Sequence, residues 1–175
     1  LVLRGIFLLR QVEIAWFYQF GASMLFPEHW QRYLAVIPPE ERGDLLAAYH
    51  RRLLSDDKAV QRAAARAWAV WEGATSSLKP NPAREEHFGS DEVALALARI
   101  EAHYFVNRGF FASENQLLDG VEKLRGIPAV IVQGRYDMVC PIDTAWQLHQ
   151  RWPEAELKVV VDAGNGAGGP TMQRL

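Results

Sequence analysis

One cysteine, Cys140, stands in 175 residues. That scarcity excludes internal disulfides and a cysteine-rich zinc site, and it suits a reducing, cytoplasmic compartment. Long apolar runs are missing too. The stretch "LVLRGIFLLRQVEIAWF" is interrupted by Arg4, Arg10 and Glu13, well short of the roughly 18 uninterrupted apolar residues that a membrane span needs. No secretory signal pattern opens the chain. Basic excess is absent, with a formal net charge of -2, so no positive field is available to hold nucleic acid or an anionic membrane. Repeats and low-complexity tracts are lacking, and no Gly-x-Ser-x-Gly occurs anywhere. The chain starts at Leu1, in mid-strand and without methionine; the expectation is a C-terminal piece of a longer protein.

What is present is globular. Hydrophobic residues make up 49% and charged residues 23%, and six tryptophans with eight phenylalanines supply an aromatic-rich core. "LVLRGIFLL" reads as a short strand leading into a loop. From Gln11 to His103 the periodicity is helical. "PEHWQRYLAVI" and "PEERGDLLAAYHRRLL" carry proline and glutamate in a first turn. "DDKAVQRAAARAWAVWEGATS" is a long helix expected to close near Gly73, "SSLKPNPAREEHFGS" a loop bounded by prolines, and Ser90 the cap of "DEVALALARIEAHYFV". At Ile127 the pattern changes. "IPAVIVQGRYD" reads as a strand buried on both faces, "PIDTAWQLHQRW" as a helix and "AELKVVVDAG" as a second strand. The fold class is therefore α/β: a strand and loop over residues 1–10, a helical block over 11–113, and a parallel β-α-β tail within 114–175.

Three carboxylates draw attention. Glu72 lies on the same helix face as Ala65, Trp68 and Ala69, and Glu101 shares a face with Ala94, Leu97 and Ala98. Carboxylates on buried faces need a cation. Two partners fit: an internal arginine, Arg66 or Arg99, or an ammonium group on a ligand. Asp137 follows a strand directly. It is a turn and cap residue on one reading and, on the other, the acid that orients a histidine in a hydrolase triad, whose last two members sit on loops after successive late strands.

"GNGAGG" near the end spells Gly-x-Gly-x-x-Gly through Gly164, Gly166 and Gly169. A dinucleotide site needs a helix to open at the third glycine and an acidic residue about 20 positions on. Pro170 follows instead, so the segment reads as a loop at the carboxyl end of a strand.

The motifs "LRGIFLLR", "WFYQFGAS", "FPEHW", "WAVWEGATS", "ARIEAHYFVNRGFF", "LRGIPAVIVQGRYDMVCP" and "AWQLHQRWP" resemble the proline iminopeptidases, serine peptidases of the α/β-hydrolase fold. The resemblance covers nearly the whole chain up to Gly164. It implies a helical cap inserted into an α/β core, no metal or other cofactor, and peptide substrates with an N-terminal proline. It also implies roles: Asp137 as triad acid, Glu72 and Glu101 as cap residues holding the substrate's amino terminus, Arg4, Phe7 and Phe17 near the pocket for the proline ring, and Cys140 near the active site.

The sequence departs from that family in two places. The nucleophile elbow should precede "LVLRGIF". Asn165 stands where the family has its catalytic histidine, and asparagine cannot take a proton from serine near neutral pH. The five histidines present, His29, His50, His87, His103 and His149, lie away from a late strand-end loop, His149 facing solvent on the helix after Asp137. The expectation is an inactive fragment of a proline-releasing aminopeptidase with a truncated, frameshifted or misread end. The rival is a non-catalytic hydrolase-like protein whose cap binds peptides or partners.

Overall fold

The computed structural model describes residues 1–77 and 79–161. Asn165 and the glycine-rich tail lie outside the described residues. In chain order the elements are β1 (Val2–Arg4), α1 (Gln11–Tyr18), α2 (Pro27–Leu34), α3 (Leu45–Leu53), α4 (Lys58–Thr75), α5 (Pro82–Phe88), α6 (Asp91–Val106), α7 (Gln116–Asp119), β2 (Val130–Gly134), α8 (Ile142–Arg151) and β3 (Glu156–Val160). They divide into two compact units, Leu1–Leu8 with Leu117–Leu175, and Leu9–Gln116.

The first unit carries a three-stranded sheet in the order β1-β2-β3. Both pairings are parallel, with Leu3 opposite Ile131 and Ile131 opposite Leu157. The β-α-β tail is therefore present, as β2-α8-β3. Ile131, Ala145, Leu148, Trp152 and Ala155 form the core on one face of the sheet, joined by Ile6, Leu8, Leu118 and Val121. β2 departs from the expectation of burial on both faces. Its residues alternate between buried and partly buried, and on the second face Val2 and Val160 are 76% and 53% exposed. The apolar run "AVIV" hides that alternation, because valines stand on the second face where a solvated strand would carry polar residues.

The second unit is helical. α4 starts where Asp57 accepts the Ala59 N–H at 2.8 Å, and α3 starts at Asp44, whose carboxylate accepts the Ala47 N–H. Pro39 and Glu40 thus open only a short 3-10 turn, and Asp44 is the true cap of the following helix. Two further expectations change. The segment read as a proline-bounded loop contains α5, because Asn81 caps it and Pro82 occupies the first helical position, where a missing N–H does no harm. α4 runs past Gly73 to Thr75. Gly73 serves packing: a Cβ there would stand 3.1 Å from Phe88, so the missing side chain is what lets α5 approach.

The core of this unit is aromatic. Trp68, Trp71, Tyr33 and Tyr49 are fully buried. Tyr33 stacks on Tyr49 at 4.4 Å and on Trp30 at 5.0 Å between ring centroids. Buried alanines on α4 (Ala64, Ala65, Ala69) and α6 (Ala94, Ala98, Ala102) let the helices pack closely beneath these rings. No described helix is long and apolar enough to cross a membrane.

Candidate active site

In the helical unit, Glu72 near the end of α4 and Glu101 on α6 are both partly buried. Trp68 is one turn before Glu72, and its indole Nε1–H donates to Glu101 Oε2 at 2.7 Å. The Tyr18 hydroxyl, at the end of α1, donates to Glu72 Oε1. Tyr18 and Trp68 are themselves stacked, with centroids 4.2 Å apart and planes at 20°. Phe105, one turn after Glu101, closes on Tyr18 at 5.3 Å. A stacked aromatic pair thus holds one carboxylate from each of two helices.

Both donors are uncharged. The internal arginines offered as partners by the sequence are not used: Arg66 donates to the Gly89 carbonyl at 2.7 Å, and among the described residues no ion pair joins Arg66 or Arg99 to either glutamate. The electrostatic consequence is direct. Burial first, then the charge of Glu101, pushes the Glu72 carboxyl up to about 8, the Tyr18 hydrogen bond pulling the other way. Burial likewise raises Glu101, against the Trp68 hydrogen bond. Burial and the neighbouring glutamates push the Tyr18 hydroxyl well above the usual tyrosine range, so it remains a donor. Among the described residues, these two carboxylates in an aromatic surround meet no cation.

In the sheet unit, Asp137 occupies the loop after β2. Its Oδ1 accepts the backbone N–H groups of Val139 at 3.2 Å and Cys140 at 2.9 Å. Its Oδ2 accepts Gln133 Nε2 at 3.1 Å. The turn role and a triad role are therefore compatible: one oxygen shapes the loop and the other has a single donor. Cys140 is partly buried, and its carbonyl accepts Gln133 Nε2 at 2.8 Å.

Arg4 ends β1 and is exposed, and Phe7 follows in the same unit at 36% exposure. Phe17 belongs to the helical unit and is buried. Its ring meets Tyr18 edge-on at 4.8 Å and Trp71 at 5.5 Å. His149 corrects its expectation. It is partly buried, and its Nδ1 lies 3.0 Å from the Ala155 carbonyl, because the chain folds back after α8. Among the described residues, no group of three or more His, Cys, Asp or Glu side chains could hold a metal ion.

Sequence reasoning missed Tyr18, Gln133 and the donor role of Trp68. The signal for Gln133 was a polar residue inside an apolar strand, whereas no local spacing relates Trp68 to Glu101, 33 residues on. Nothing in "WFYQ" distinguishes Tyr18 from its aromatic neighbours.

A family model described as the alpha/beta hydrolase fold matches residues 19–167. Among curated relatives, the "Probable proline iminopeptidase" of Leptolyngbya boryana is 58% identical over 165 residues, covering 94% of this chain and 51% of the relative. The "Proline iminopeptidase" of Xylella fastidiosa (strain 9a5c) is 57% identical over 170 residues, covering 97% and 54%. That of Arabidopsis thaliana is 56% identical over 171 residues, covering 97% and 45%. The chain spans about half the length of the curated relatives it matches.

Proposed function

Because this chain belongs to the α/β-hydrolase family and, within it, to the proline iminopeptidases, we propose that it forms part of a serine aminopeptidase that releases N-terminal proline from peptides. The observation that carries this reading is the pair of partly buried glutamates that, among the described residues, meets no cation. The secondary ammonium of an N-terminal proline has two N–H groups, one for each carboxylate, and its pyrrolidine ring suits the aromatic surround of Tyr18, Trp68 and Phe105. Fixing the charged terminus makes the enzyme an exopeptidase, since a chain continuing beyond that nitrogen has no ammonium to offer.

On this reading the residues 11–113 form the cap and Asp137 orients a catalytic histidine. That histidine activates a serine for attack on the prolyl carbonyl, and water releases the acyl-enzyme. The family resemblance gives Arg4 and Phe7 a share in binding the proline ring, Phe17 packs edge-on against Tyr18, and the Cys140 carbonyl accepts from Gln133 beside the acid. Peptides are the partners, and the cytoplasm is the compartment that suits the single cysteine. The serine comes from a segment other than these 175 residues, which hold no Gly-x-Ser-x-Gly, and Asn165 stands at the histidine position. The 175-residue chain by itself therefore gives no turnover of a prolyl chromogenic substrate. Saturable hydrolysis by the purified chain, abolished by Asp137→Asn, would sink that part of the reading.

Asn165 also favours a second reading, a hydrolase-like protein that binds peptides without cleaving them. Sequencing the coding region on both sides separates the two. A serine elbow upstream with a histidine codon at position 165 means the aminopeptidase; an intact frame with Asn165 and no elbow means the binder.

A further inference from the structure

Gln133 lies inside β2 with 1% of its surface exposed. A side-chain amide so placed is unfavourable unless its polar atoms are bonded. All of them are. Oε1 accepts the Ile6 N–H at 2.9 Å, and Nε2 donates to Asp137 Oδ2 at 3.1 Å and to the Cys140 carbonyl at 2.8 Å. The orientation of the amide is thereby determined, because a flipped group would set its NH2 against the Ile6 N–H and its oxygen against a carboxylate and a carbonyl.

The consequences reach both loops at this end of the sheet. Ile6 belongs to the segment after β1 that carries Phe7, and Asp137 and Cys140 belong to the segment after β2. Asp137 Oδ1 is committed to the backbone of its own loop, at Val139 and Cys140. Gln133 is the side chain that sets the direction of Oδ2, the oxygen left to meet a further donor. A carboxylate that must orient an imidazole has to be held within about 10–20° of its working direction.

We propose that Gln133 is a positioning residue, which aims Asp137 Oδ2 and clamps the segment after β1 to the acid loop through one amide. The proposal rests on the reading of Asp137 as triad acid for its catalytic meaning, while the clamp itself is tested independently of it.

The test uses the whole chain with Gln133→Glu and Gln133→Met, followed by NMR at about pH 8 and about pH 5. It reads amide exchange at Ile6, Val139 and Cys140 and the Asp137 carboxyl resonance. Gln133→Glu keeps the shape and can still accept from Ile6, but at pH 8 it sets a carboxylate against Asp137 Oδ2. Exchange at Val139 and Cys140 then quickens about tenfold, as expected for losing one such hydrogen bond, and the Asp137 resonance moves while Ile6 stays protected. At pH 5 the two carboxyls share a proton, the donor is restored and the changes reverse. Gln133→Met exposes the Ile6 amide and moves the Asp137 resonance at both pH values, without reversal.

A Gln133→Glu spectrum matching the parent at pH 8, or a change that acid does not reverse, would overturn the proposal. So would failure of both variants to fold at either pH, which would make Gln133 a purely structural residue. Failure of the underlying reading looks different: the complete enzyme with Asp137→Asn would still cleave prolyl substrates, while the Gln133 variants, with Asp137 in place, still show the clamp signature.

Discussion

The two units treat carboxylates in opposite ways. In the sheet unit Asp137 receives three N–H donors, two from its own loop and one from Gln133. In the helical unit Glu72 and Glu101 each receive one uncharged donor and sit close enough for the charge of one to raise the other. The first arrangement satisfies a charge within the fold. The second, among the described residues, meets no cation, and burial raises both carboxyls. A carboxylate whose bonds are complete suits a scaffold or orienting role, whereas a partly buried pair that meets no cation among the described residues is the arrangement on which the proposed binding role rests.

The sharpest break of this comparison is by ligand. Prolinamide, which carries the imino group on a single residue, should bind the complete protein and quench tryptophan fluorescence. Glu101→Gln and Glu72→Gln each weaken it roughly 10–100-fold, in line with a charge-assisted hydrogen bond of about 1.5–3 kcal/mol. Asp137→Asn leaves the affinity within about twofold, because its charge is answered locally. Equal losses from the two kinds of variant, read by calorimetry, would erase the distinction.

A second effect, next in size, is on pH. Glu72 is pushed from the ordinary 4.5 to about 8 by burial and by Glu101. Its folded form therefore holds a proton that the unfolded chain has released. Stability from this group is complete below about pH 4.5 and is lost as pH rises toward 8, by at most about 1.4 kcal/mol per pH unit. Prolinamide affinity moves the other way, rising through the same window as the pair gives up its proton. Denaturant unfolding and calorimetry at several pH values check both slopes, and Glu72→Gln flattens them together. A parent protein whose stability increases over that window would refute the assignment.

The smallest effect is expected in the sheet unit. Asp137→Asn can still accept from Val139 and Cys140 but turns its NH2 on the Gln133 donor and loses its charge, so it destabilises by about 1 kcal/mol, the scale of one lost hydrogen bond. Thermal melting measures it, and a fall several times larger would mean that Asp137 carries more of the fold than its three donors imply.

Much of this was legible beforehand. The helical block and the β-α-β tail follow from hydrophobic period, and Asp57 is a helix cap by type. Glu72 and Glu101 announced themselves as charges on apolar faces. The prolines around Asn81 are local breakers, yet α5 starts at Pro82, because Asn81 caps it and a proline in the first helical position loses no hydrogen bond. The burial of β2 was overstated, since a run of valines carries no mark of which face is covered.

Sequence by itself determined the class of the fold, the order of its elements and the identity of the carboxylates worth following. It could do so because helix and strand periods, capping residues and family motifs are local properties of the chain. Only the tertiary structure decided what those carboxylates meet. Tyr18 reaches Glu72 across 54 residues, Trp68 reaches Glu101 across 33, and Gln133 binds Ile6 across 127. Contacts of that range depend on helix packing and strand register, which set direction and distance between side chains that no local pattern relates.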